Sequence, residues 1–278
     1  MLTVDRFNAF SFVDRITAVE PGARVHGQFT VPAELGRFSP CLVAEAIGQL
    51  AGWGAMARSD FRSRPLAALA AEALMWCDAV PGETLSLGVE FDRWDEDAVV
   101  YAGWARGGTR LLLTLNGCVG ALLPLDEFDD PEEVRAHFDR LCHGGVPGPR
   151  FCGIAVPEPV IVEREPRRDL RATFQVPQSA PFFADHFPRR PVFPATLLLE
   201  AEIVLAGALA RDLLPPSSRL LRVADVKLRT FILPGQTVTI EARVRSATDD
   251  SVAVALVAHV AGRRAATARI DMGSGSGG

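Results

Sequence analysis

Two stretches of the chain are apolar on nearly every helical face. CLVAEAIGQLAGWGAMA (41–57) is interrupted by Glu45 and Gln49, and ATLLLEAEIVLAGALARDLL (195–214) by Glu200 and Glu202. A helix of that kind has to be covered on most sides, so both are predicted as buried core helices. Each is preceded by a predicted strand, at about 23–31 and 169–176, and followed by runs in which apolar and polar residues alternate. In the first half these runs are ETLSLGVEF, AVVYAGWAR and RLLLTLNGCVGALL; in the second they are QTVTIEARVR, SVAVALVAHV and RAATARIDM. Alternation with period two marks a half-buried strand. Trp94-Asp95-Glu96-Asp97 and Thr248-Asp249-Asp250 supply hairpin turns. One buried helix followed by consecutive antiparallel strands implies a sheet wrapped around that helix, an α+β arrangement.

The same order of elements is written twice. VEPGARVHGQFTVP (19–32) matches REPRRDLRATFQVP (164–177), pairing Pro21 with Pro166, Phe29 with Phe174 and Pro32 with Pro177 at an offset of 145. Glu45-Ala46 matches Glu200-Ala201 at an offset of 155, and Val80-Pro81-Gly82 matches Leu233-Pro234-Gly235 at 153. The jump from 145 to 155 means that the first copy lacks ten residues between Pro32 and Glu45. There the second copy carries PFFADHFPRRPVFP and the first only AELGRFSP, so His186 has no first-half counterpart. Between the copies, Asp130-Pro131-Glu132-Glu133 reads as an N-cap with proline at the first helical position, opening a short polar helix that ends at Gly144-Gly145. The expected organisation is a first unit at 1–124, a connection at 125–155, a second unit at 156–272 and a flexible GSGSGG tail at 273–278.

Composition narrows the class without naming a chemistry. The chain has 278 residues, enough for two ordinary domains, with 48% apolar and 23% charged residues, a soluble globular mixture. A net charge of −5 argues against a general nucleic-acid binder. The charged residues inside the two apolar stretches argue against membrane spans, and MLTVDRFNAF has no secretory pattern. Cys41, Cys77, Cys118, Cys142 and Cys152 are odd in number and irregularly spaced, which suits reduced thiols in a cytoplasm. Cys142, His143 and Cys152 lack a second ligand pair at zinc spacing and read as linker residues. His26 and His259, in strand-like runs, read as surface or core residues.

The candidate chemistry sits in HFPRRPVFPATLLLEA (186–201). His186, Phe187, Pro188, Pro191, Pro194, Glu200 and Ala201 form an HFPxxPxxP loop leading into a helix with ExA, and this resembles the 3-hydroxyacyl-[acyl-carrier-protein] dehydratases, which have the hot-dog fold. Val19-Glu20-Pro21-Gly22, Glu45-Ala46 and Gln49 carry the same resemblance in the first half. The resemblance implies a tandem double hot-dog, an intrachain pseudo-dimer that leaves further homodimerisation open. In the family each site combines a histidine of one unit with an acid on the central helix of the other, which implies His186 opposite Glu45. Gln49, four residues on, shares a helix face with Glu45; the second half has Val204 there. Glu200 then reads as a relic or structural residue.

What the resemblance implies chemically is loss of water from a 3-hydroxyacyl thioester to give a trans-2-enoyl thioester. His186 would remove the C2 proton, and Glu45, desolvated in an apolar helix so that its protonated form is favoured, would donate to the leaving hydroxyl. The thioester oxygen needs backbone donors at a helix N-terminus. The family's glycine after the last motif proline is Ala195 here, with its N–H kept; the first-half equivalent is Pro40, which has none. Phe187 and Phe193 are expected substrate contacts, with Phe182 and Phe183 more ordinarily core. Arg189 and Arg190 are expected to meet the phosphopantetheine phosphate or an acidic carrier surface. The implied partners are an acyl carrier protein and its acyl thioester, with no metal or redox cofactor, in fatty-acid or polyketide synthesis. A double-bond isomerase using the same pair, and a non-catalytic hot-dog scaffold or carrier-binding subunit, are the alternatives. A thioesterase is disfavoured because its usual helix acid without this histidine loop is not supplied.

Overall fold

The structure, a computed structural model, describes residues 6–146, 151 and 153–274. Cys152 and the last four residues of the GSGSGG tail lie outside the described residues. The first half runs β1 (Arg15–Glu20), β2 (Arg24–Thr30), α1 (Pro40–Arg58), β3 (Ser63–Met75), β4 (Thr84–Trp94), β5 (Ala98–Gly107) and β6 (Arg110–Pro124). A helix α2 (Pro131–His143) follows, and then β7 (Val160–Glu165), β8 (Asp169–Gln175), α3 (Ala195–Ala210), β9 (Arg219–Leu228), β10 (Thr237–Ala247), β11 (Ser251–Val260) and β12 (Arg263–Gly273). All twelve strands form one antiparallel sheet in the order β1-β2-β4-β5-β6-β3-β9-β12-β11-β10-β8-β7. The second six repeat the first six in reverse spatial order, and the two sets meet where β3 pairs with β9, from Leu69 opposite Lys227 to Leu74 opposite Arg222. Arg222 ties this seam, reaching Glu72 at 2.6 Å.

The sequence periods have visible physical outcomes. In β11 every second residue is buried, from Val252 to Val260, and the inward set packs on α3. Both helices have buried residues on several faces, as their apolar composition requires. Ser39 caps α1, its hydroxyl accepting from the Cys41 N–H at 3.1 Å, and Pro40 opens the helix. The duplicated VPG and LPG turns superimpose in function: Gly82 and Gly235 take φ of +84° and +76°, and their N–H groups donate to the Val31 and Val176 carbonyls at 2.9 and 3.1 Å.

Three readings are refined. β1, β3, β7 and β9 are strands that alternation does not assign; β3, with its LAALAAEAL run, has a helical composition that cross-strand pairing with β6 and β9 overrides. The tail begins one residue later than composition suggests, because Gly273 closes β12 opposite Ser251. The connection holds α2 as predicted, with the Asp130 carboxylate accepting from the Glu132 and Glu133 N–H groups at 3.0 and 3.3 Å. It is more than a tether, however. Phe128 is fully buried against Leu66, Phe187 and Val192, and His137 is buried with its ring stacked 3.9 Å from that of Phe7. No helix among the described residues is long and apolar enough to cross a membrane.

Candidate active site

The loop ahead of α3 is folded around His186. A short 3-10 turn at Pro181–Ala184 precedes it, and the His186 N–H donates to the Phe182 carbonyl at 2.9 Å. The loop then closes on itself, Val192 N–H donating to the His186 carbonyl at 3.1 Å. The imidazole Nδ1 lies 2.8 Å from the Val192 carbonyl oxygen. A carbonyl can only accept, so Nδ1 carries the hydrogen and Nε2 of the neutral ring keeps its lone pair. Phe187 stacks on the ring at 4.1 Å and Phe10 meets it edge-on at 5.6 Å. Burial among these rings pushes the His186 pKa down; the Glu45 charge and the bond to Val192 pull it back up, and the Arg64 cation lowers it further. Desolvation prevails, so at neutral pH the ring is an uncharged base.

Glu45 is held from both halves of the chain. Gln49 Nε2 donates to its Oε1 at 3.0 Å, and the Thr196 hydroxyl, one residue into α3, donates to its Oε2 at 2.8 Å. Gln49 is itself fixed, accepting from the Phe12 N–H at 2.9 Å and donating to the Phe10 carbonyl at 2.8 Å. On the other side of the same segment, the Asp185 carboxylate accepts from the Phe7 and Phe10 N–H groups at 2.6 and 2.7 Å. Burial pushes the Asp185 pKa up, while these backbone donors act in the opposite sense. Residues 7–12 therefore form a strap between the helix that bears Glu45 and the loop that bears His186.

His186, Glu45, Gln49, Phe187, Phe193 and Ala195 all line one cavity of about 510 Å³ between the halves. Ala195 and Thr196 occupy the first turn of α3, where N–H groups have no intrahelical acceptor. Pro194 supplies no side-chain cap, so donors remain for a ligand oxygen. The first-half counterpart is closed off: Ser39 caps α1, Pro40 has no N–H, and the Ser39 hydroxyl donates to Glu200, which is not on the cavity wall. Burial, with Glu200 beside it, pushes the Cys41 thiol well up, so this second cluster holds no reactive thiolate.

Arg189 and Arg190 lie on the surface beside the histidine loop, their side chains partly exposed. Arg189 reaches Asp130 at 2.8 Å and the Asp126 carbonyl at 3.0 Å, while Arg190 pairs with Glu127 at 3.3 Å and covers Phe231. Neither lines the cavity; both fasten the connection to the histidine loop. Thr196, Asp185 and Arg64 are site residues that the sequence reading does not single out. Thr196 has a signal in hindsight, a hydroxyl two residues after the last motif proline. The other two are brought in by strand and strap positions that no local pattern announces.

Residues 162–265 match a family profile described as ApeI-like, ApeI dehydratase. A 3-hydroxyacyl-[acyl-carrier-protein] dehydratase FabZ from Ruminiclostridium cellulolyticum is 31% identical over 87 residues, covering 30% of this chain and 61% of that protein. The FabZ of Anaeromyxobacter dehalogenans is 34% identical over 90 residues, covering 30% of this chain and 58% of that protein. The chain thus spans about three fifths of the length of the curated relatives it matches. In solved structures the likeness extends over nearly all of the chain. A putative oleoyl thioesterase from Lactobacillus plantarum aligns with a TM-score of 0.61 at 14% identity, over 91% of this chain and 97% of that one. A MaoC-like dehydratase aligns with a TM-score of 0.54 at 12% identity, over 91% and 98%. At such identities the structural likeness speaks for a hot-dog-like fold alone. The dehydratase resemblance rests on sequence, and residues 162–265, with the HFPRRPVFP loop and Glu200-Ala201 inside them, are where this chain is similar to the ApeI-like dehydratases.

Proposed function

We propose that the chain is a tandem double hot-dog, with units at 1–124 and 156–272, that removes water from a 3-hydroxyacyl thioester on an acyl carrier protein. The product is a trans-2-enoyl thioester, made in the cytoplasm for fatty-acid or polyketide synthesis, at one active site per chain. The observation that carries this reading is the pairing across the halves: a half-buried imidazole with Nδ1 committed to Val192 shares a cavity with a carboxyl group held by Gln49 and Thr196. Nε2 of His186 takes the C2 proton, and electron density moves onto the thioester oxygen, where the Ala195 N–H at the start of α3 stabilises it. Glu45, the proton donor of the pair, protonates the C3 hydroxyl, which departs as water. The imidazolium then returns its proton to the Glu45 carboxylate, restoring both groups. The substrate arrives on phosphopantetheine, and no resident cofactor is invoked.

Turnover of a carrier-bound 3-hydroxyacyl thioester by wild type, His186→Ala, Glu45→Gln and Glu200→Gln tests it. Water loss should vanish in the first two variants and persist in the third. Activity lost only with Glu200→Gln would refute the cross-half pair. A shifted double bond without water loss would favour the isomerase, and no wild-type turnover on any substrate the scaffold.

A further inference from the structure

Some groups on the cavity wall have no part in the proton transfers. Gly48 and Gly52 follow Glu45 along α1 and line the cavity with it. A methyl group at Gly52 would meet no heavy atom within 4 Å, and one at Gly48 only the Tyr101 hydroxyl, at 3.8 Å. Gly54 on the same helix differs: its added carbon would lie 2.9 Å from Phe91 and 3.0 Å from Val25, so packing accounts for that glycine. Glycine is less favourable than alanine inside a helix. No neighbour requires it at 48 or 52, and the room it leaves there belongs to the cavity.

Arg64, near the start of β3, lines the same cavity and is 16% exposed. A guanidinium has five N–H donors. Among the described residues its hydrogen bonding is a contact to Asp129 at 3.5 Å, and Nε is buried without a partner. Asp129 is shared with Arg6, which holds it more closely. The Arg64 guanidinium otherwise lies 4.0 Å over the Phe187 ring, which is stacked at 4.1 Å on His186. Desolvation pushes its pKa down to about 10, against the raising effect of Asp129 and of the Glu45 charge. A hydrocarbon chain laid beside this group would leave its donors unpaired, whereas a ligand oxygen would satisfy them.

We propose, building on the acyl-thioester reading above, that the cavity takes an acyl chain bearing an oxygen function beyond C3, with the chain lying along Gly48 and Gly52 and the oxygen accepting from Arg64. The shared chemistry is a hydrogen-bond-accepting oxygen, whether hydroxyl or carboxylate.

The test uses the full chain and 3-hydroxyacyl pantetheine thioesters of one length that end in methyl, hydroxyl or carboxylate. Wild type should favour one or both oxygenated chains by at least about tenfold in kcat/KM. Arg64→Met should erase that preference, and Arg64→Lys should keep it best for the carboxylate. Across a second set of methyl-ended thioesters of increasing length, Gly52→Leu should lower kcat/KM for long chains while sparing the shortest. A wild-type preference for the methyl-ended chain, or an equal loss on all three with Arg64→Met, overturns the proposal. Calorimetry with the corresponding non-reactive amides separates the two readings. Terminus-selective binding without turnover would uphold this inference and remove the dehydratase reading, and equal affinity for all three termini would sink the inference alone.

Discussion

Glu202 is a carboxyl group in the wrong place, and its cost can be worked out. It lies on α3, is 2% exposed, and its Oε1 has no hydrogen-bond partner among the described residues. At the helix offset of 155 its first-half counterpart is Ile47, a fully buried core residue. Desolvation pushes the Glu202 pKa up from 4.5 to about 8. The folded state therefore holds a proton that the unfolded chain has already released above about pH 4.5, and stability must fall as pH rises through that window. At about 1.4 kcal/mol per pH unit, the loss is roughly 3 kcal/mol by pH 7 and approaches about 5 kcal/mol above pH 8. Urea unfolding of wild type, Glu202→Gln and Glu202→Ile between pH 5 and 9 measures it. Both variants should show a shallower decline of stability with pH, and Glu202→Ile should be the more stable protein at pH 8. Parallel pH profiles for all three would refute the reasoning, because they would mean that the carboxyl is solvated or paired after all.

Other expectations concern the site. Because burial lowers the His186 pKa, the acid limb of the kcat/KM profile for water loss should lie below 6.5, the ordinary imidazole value; a limb above it would contradict a desolvated base. Thr196→Val keeps the shape of the side chain but removes the hydroxyl that holds Glu45, a bond worth about 0.5–1.5 kcal/mol, so kcat should drop several-fold with unfolding midpoints little changed. Asp185→Ala frees the N–H groups of Phe7 and Phe10 and should cost roughly 1–3 kcal/mol of stability in urea, with faster proteolysis near residue 8. Replacing Arg189 and Arg190 together by glutamine should loosen the connection, read as faster hydrogen exchange in α2.

Much of this arrangement is legible along the chain because its signals are local. Apolar composition on all faces marks α1 and α3, period-two alternation marks β4 to β6 and β10 to β12, and the Asp130-Pro131 start marks α2. The jump in offset from 145 to 155 already marks the half that lacks a counterpart of His186, and the offset of 155 sets Pro40 against Ala195. What sequence reading left open was settled by pairing and burial at long range. β3 has helical composition, yet hydrogen bonds to β6 and β9 make it the strand that joins the halves. Arg189 and Arg190 stand out along the chain as two cations beside the histidine, but only the folded chain shows Asp130 and Glu127 of the acidic connection paired with them. Thr196 and Asp185 gain their roles from partners 151 and 175 or more residues away, and Arg64 from lying over Phe187 and beside Asp129. Local pattern determines which segments become helix or strand, since each residue's neighbours fix its exposure period; which side chains face one another is decided only when the whole sheet closes around both helices.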